Sequence, residues 1–167
     1  MHIDTINITV EYAGDINPKT AWSILESYND SLLVDVRTQA ELNYVGYPDL
    51  SSLKKTFINI EQQFFPSGNL NENFVAELEE AIIEESPNKQ RHIVFLCRSG
   101  ARSARAATLM AQYGWINCYN IASGFEGDPD ESHHRANVNG WKFEGLPWIQ
   151  QLTPPIKKLI LMIAGIG

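Results

Sequence analysis

Basic residues are scarce in this chain of 167: 13 Lys and Arg stand against 20 Asp and Glu, for a net charge of −7. The few cations are scattered, and without a basic stripe there is no counterion-release binding to DNA or RNA. Cysteine is scarcer still, Cys97 and Cys118 only, which leaves no disulfide framework. The start, Met1-His2-Ile3-Asp4, lacks the basic residues and apolar run of a secretory leader, so a reducing cytoplasm is the expected setting. Long apolar runs are also missing. The longest, Leu159 to Gly167 after Lys157-Lys158, falls well short of the roughly 20 residues of a membrane-spanning helix. Packing of this tail on the domain or a partner is expected, and membrane contact is not. No internal repeat or low-complexity tract interrupts the chain.

What remains is an ordinary core-forming composition, 44% hydrophobic, at the length of a single domain. Short β-prone apolar runs alternate with helical patterns, the reading of an α/β domain with a mostly parallel sheet and helices on both faces. Leu32–Val36, Phe57–Ile60, His92–Leu96 and Cys118–Ile121 are expected strands, with a fifth, edge strand within Ile6–Tyr12. Helix ends are signalled by Asn17-Pro18, by Thr38 with Glu41 as a capping box, by Asn71 ahead of Phe74, Val75, Leu78 and Ile82 with a stop at Pro87, and by Ala101–Tyr113 ending at Gly114. Ser123 to Pro147, rich in Gly, Asp, Asn and His, reads as ordered loop.

Chemistry concentrates where the His92–Leu96 strand runs into Cys97-Arg98-Ser99-Gly100-Ala101-Arg102-Ser103 and then a helix. A tight turn gathers successive backbone N–H groups about one point, and the helix adds its positive end, so an anion held there is stabilised, the thiolate of Cys97 first. Two arginines, two serines and a glycine in the next six positions are more than a buried structural cysteine requires. Cys118, among Asn117, Tyr119 and Asn120, reads instead as a small buried hydrophobe. His133 and His134 lack a spaced set of further ligands and read as surface loop rather than a metal site. Trp141 and Trp148 read as anchors of the closing segment.

The loop resembles the active-site loop of the rhodanese (sulfurtransferase) superfamily, a cysteine, five residues and a small hydroxyl residue around a persulfide sulfur. Leu33-Val34-Asp35-Val36-Arg37 with Glu41 and Gly46, Ser123-Gly124-Phe125, Gly140-Trp141-Lys142 and Gly145-Leu146-Pro147-Trp148 are similar to further motifs of single-domain bacterial members. The resemblance implies a rhodanese-like domain over residues 1–150, followed by the apolar tail 151–167. It implies that Cys97 takes sulfane sulfur from a small anionic donor such as thiosulfate and passes it to a thiol or protein acceptor, with no metal or organic cofactor. Arg98, Ser99, Gly100, Ala101, Arg102 and Ser103 would hold donor and persulfide, and Asp35 and Arg37 would brace the loop structurally. Gly46-Tyr47-Pro48 departs from the family's Gly-His-Ile, a change expected at the mouth of the site. A binding or partner-dependent relay module without turnover is the alternative. A cysteine phosphatase is a distant one, because Arg102 lies one place too early for its loop and no aspartate acid is identifiable.

Overall fold

In the computed structural model, which describes residues 11–83 and 88–152, five parallel strands form a central sheet in the order β1-β6-β5-β2-β4. The strands are β1 (Gly14–Ile16), β2 (Leu32–Asp35), β4 (Ile58–Asn59), β5 (Ile93–Leu96) and β6 (Cys118–Ile121). A separate antiparallel pair joins β3 (Tyr47–Pro48) to β7 (Trp148–Ile149). Among the described residues four α-helices are present: α1 (Pro18–Ser27), α2 (Gln39–Val45), α3 (Phe74–Ile83) and α4 (Ala101–Gln112).

The two central strands, β2 and β5, are buried at every residue, because apolar side chains go to both faces. Val34, Val36, Ile93 and Phe95 pack with Phe74, Leu78, Ala106 and Met110 of α3 and α4. On the other face Leu33, Val94 and Leu96 meet Ala21, Leu25 and Leu42 of α1 and α2. The alanines of α4 leave its backbone close to the sheet, and Gly114, at φ +93°, turns the chain out of it.

Helix starts follow the sequence signals. Asn17 Oδ1 accepts from Thr20 N at 2.8 Å with Pro18 in the first turn, and the Thr38–Glu41 capping box is complete. Asn71 is not the cap expected of it: Asn73, two residues on, immediately precedes α3, and Asn71 Oδ1 accepts from Asn73 N in the turn that leads into the helix. The stop at Pro87 and the tail beyond Leu152 lie outside the described residues.

The edge strand corrects the expectation. It is Gly14–Ile16, in register with Tyr119–Ile121, whereas Glu11 and Tyr12 are not strand and residues 6–10 are outside the described part. The β3–β7 pair was not anticipated, and it changes the place of Tyr47. That side chain is buried against Phe57, with ring centroids 5.7 Å apart, so it fastens the closing segment and does not line the mouth of the site.

Candidate functional site

The site is assembled where β5 ends. Cys97 is 1% exposed, and its Sγ accepts hydrogen bonds from Gly100 N–H at 3.1 Å and stands 3.1 Å from Ser103 Oγ. Gly100 adopts φ +107° immediately before α4, and Ala104 N–H makes the first helical bond, to the Gly100 carbonyl at 3.1 Å. The N–H groups of Ala101, Arg102 and Ser103 therefore belong to the helix's first turn and have no carbonyl within the helix to bond. The tight turn running from the strand into a helix is where the sequence places it.

The loop is held from behind by the segment after β6. Phe125 N–H donates to the Cys97 carbonyl at 2.8 Å, and Glu126 N–H to the Arg98 carbonyl at 3.0 Å. The packing excludes side chains at two points. A Cβ at Gly100 would strike the Ala122 carbonyl, and one at Gly124, φ +69°, would strike the Arg98 carbonyl. The Ser123-Gly124-Phe125 motif is thus the strap of the cysteine loop.

Asp35 and Arg37 sit beneath that strap, both fully buried. Arg37 donates through Nε at 3.0 Å and Nη2 at 2.7 Å to the two carboxylate oxygens of Asp35, and its guanidinium lies 4.2 Å from the centre of the Phe125 ring. Asn59 Nδ2 donates to the carbonyls of both residues at 2.9 Å. The pair joins the end of β2 to the strap through the Phe125 ring and the Asn59 amide.

The two loop arginines are not equivalent. Arg102 is engaged by Glu41 in a bidentate pair at 2.7 and 2.8 Å, in which both side chains are largely buried. Burial alone would raise the Glu41 carboxyl, but the bonds from Arg102 and from Thr38 N–H outweigh it and hold it down at about 2. The Glu41 bonds in turn raise Arg102, which stays a cation. The Arg102 side chain therefore ties α4 to α2, while its backbone N–H belongs to the first turn of α4. Arg98 is exposed and makes no ion pair among the described residues. A cleft of 600 Å³ flanks the loop, lined by Arg98 and Arg102 on one side and by Tyr44, Phe64, Phe65 and Pro66 on the other.

Burial pushes the Cys118 thiol up to about 12, and its Sγ points to the Trp115 carbonyl at 3.2 Å. His133 and His134 are exposed on a turn organised by Asp130, whose carboxylate accepts from His134 N–H at 2.9 Å. Trp141 is fully buried and donates Nε1 to the Pro147 carbonyl, while Trp148 packs edge-on against Phe125. Sequence reasoning missed Glu41 as the partner of Arg102, and it missed Asn120, whose Oδ1 lies 2.6 Å from Ser103 Oγ. The capping box had already accounted for Glu41, and Asn120 carried no local signal.

Comparison with known proteins agrees with this architecture. The STR4 middle domain family matches residues 13–155. The uncharacterized protein RP600 of Rickettsia prowazekii is 39% identical over 129 residues, spanning 77% of this chain and 90% of that protein. A sulfurtransferase of Allochromatium vinosum is 29% identical over 134 residues, 80% of this chain and 92% of its own. Among solved structures, Rv0390 of M. tuberculosis superimposes with a TM-score of 0.75 at 43% identity, covering 84% of this chain and 99% of that one. The rhodanese-like domain of Anabaena Alr3790 superimposes with a TM-score of 0.51 at 15% identity, covering 84% of each chain, and bears on the fold alone. The fold and loop define a rhodanese-like domain of the sulfurtransferase superfamily. Within it, the chain belongs to the STR4 middle domain family.

Proposed function

We propose that the protein is a sulfurtransferase that carries sulfane sulfur as a persulfide on Cys97. The observation that carries this reading is the Cys97 sulfur itself, set in a turn where Gly100 N–H already points at it and the first-turn N–H groups of α4 are unused by the helix. Such a turn stabilises one compact anion.

In the proposed reaction the Cys97 thiolate attacks the outer sulfur of thiosulfate. The S–S bond of thiosulfate breaks, sulfite leaves with its electron pair, and Cys97 retains the persulfide. An acceptor thiolate or cyanide then attacks the terminal sulfur, forming a new persulfide or thiocyanate and returning the Cys97 thiolate. Backbone N–H groups hold the sulfur anion, and Arg98, the loop's exposed cation, draws in the small anionic donor. The acceptor, a thiol or protein cysteine, enters by the cleft between Arg98 and Phe64-Phe65. No step requires a metal or organic cofactor. A reducing compartment such as the cytoplasm suits a carrier of this kind.

Thiocyanate formation from thiosulfate and cyanide tests the reading. Turnover by the wild type and none by Cys97→Ser is the expected result. Equal rates in the two proteins would refute it. A wild type that gains sulfur but forms no thiocyanate would point to a relay that discharges only to a partner protein.

A further inference from the structure

Ser103 has one hydroxyl proton and three acceptors in reach: Asn120 Oδ1 at 2.6 Å, Cys97 Sγ at 3.1 Å and the Gly100 carbonyl at 3.2 Å. The choice among them is made one residue further out. Asn120 lies on β6, 3% exposed, directly in register with Asp15 of β1, and its Nδ2 donates to Asp15 Oδ1 at 2.9 Å. An ionised carboxylate only accepts, so the amide turns its nitrogen to Asp15 and its oxygen to Ser103. Two oxygens 2.6 Å apart need a proton between them, and Ser103 alone can supply it. Asp15 is fixed in its turn by the Tyr12 phenol at 2.7 Å.

From this we infer that Asn120, oriented by Asp15, is a positioning residue that withholds the Ser103 proton from Cys97. The inference rests on the reading of Cys97 as the nucleophile. In the thiol form the order of donors runs from Cys97 S–H to Ser103 and from Ser103 to Asn120. When the thiolate or persulfide forms, Ser103 can donate to it only by giving up Asn120, leaving two oxygens face to face. Gly100 N–H is then the settled donor to the sulfur. The anion is less stabilised than a loop with a free hydroxyl would make it. As a thiolate it is therefore intrinsically the better nucleophile toward a sulfur donor, and as the leaving group when an acceptor takes the terminal sulfur it is released more slowly.

The test is the rate of Cys97 alkylation by iodoacetamide as a function of pH, read by intact mass. Other charged groups on the elements packed around Cys97 are Arg98 and Arg102 of the loop and α4, the Asp35–Arg37 pair ending β2, Glu41 of α2 and Glu126 of the strap; all are unchanged in every variant. Asn120→Ala frees the Ser103 proton for the thiolate and is expected to lower the pH midpoint by about one unit. Asp15→Ala, at an exposed position, lets the Asn120 amide turn over and is expected to shift the midpoint the same way. In a Ser103→Ala background neither substitution should move it further, and Asp15→Ala should add nothing to Asn120→Ala.

An unchanged or raised midpoint in Asn120→Ala overturns the inference, as does a shift that survives in the Ser103→Ala background. An Asp15→Ala shift that persists in Asn120→Ala and fades with salt would mark a direct charge effect and also overturn it. Should Asn120→Ala not fold, Asp15→Ala with and without Ser103→Ala decides the matter. Failure of the wild type to take sulfur from any donor would refute the sulfurtransferase reading while leaving these alkylation profiles meaningful.

Discussion

Glu41→Gln separates the structural role of Arg102 from a role in chemistry. The Glu41 carboxylate takes four hydrogen bonds, two from Arg102 at 2.7 and 2.8 Å and two from the backbone and hydroxyl of Thr38 at 2.9 and 3.0 Å. Glutamine can still serve the capping box through its one oxygen, but its NH2 then meets the Arg102 donors and the ion pair is lost. Removing one partner of a fully buried pair costs about 3–5 kcal/mol. With the side chains here 17% and 22% exposed, solvent screening brings the expected loss at pH 7 to about 2 kcal/mol. The folded carboxyl is held at about 2 against 4.5 in its absence. Its stabilisation is therefore complete above the unfolded value and is lost as pH falls toward the folded one. The gap between wild type and Glu41→Gln should keep about three-quarters of its size at pH 4 and roughly two-fifths at pH 3. Urea unfolding of both proteins across that range measures it. Sulfur loading of the folded variant should stay within about twofold of wild type, since Arg102 is not asked to bind the donor. A gap that does not change with pH, or a collapse of loading with stability intact, would refute the reasoning.

Gly100→Ala should cost about 2–4 kcal/mol and abolish loading, because φ +107° is strained for alanine and the new methyl meets the Ala122 backbone carbonyl, which cannot swing aside; urea midpoints and intact mass check the two halves. Asp35→Asn leaves a buried guanidinium without its counter-charge and should lose about 3–5 kcal/mol in urea unfolding, while the protein that remains folded still loads sulfur. Alkylation of the native protein near pH 8 should modify Cys97 and spare Cys118, whose buried thiol stays protonated, and both should react in urea; peptide masses distinguish them.

The features written within a few residues were legible before the structure. The strand into Cys97, the Gly100 turn, the Thr38–Glu41 box and the Asp35–Arg37 strand end are each local patterns, and each lies where the sequence puts it. Features that join distant segments were not. Glu41 and Arg102 are 61 positions apart, and Asp15 and Asn120 105 apart, so only the parallel β1–β6 register and the α2–α4 packing bring them together. The two-residue strands β3 and β7 are too short to show a period, which is why Tyr47 was expected at the mouth of the site when it is buried against Phe57. The edge strand was misplaced for a related reason. Gly14-Asp15-Ile16 is weak in β propensity and is held by its partner strand.

The most direct test of the account is the intact mass of the reduced protein after incubation with thiosulfate, beside Cys97→Ser and Cys118→Ser. A gain of one sulfur atom in wild type and Cys118→Ser, absent from Cys97→Ser and reversed by a thiol, is the predicted result. The same gain in Cys97→Ser, or none in a wild type with its loop folded across thiosulfate, polysulfide and persulfide donors, would contradict it.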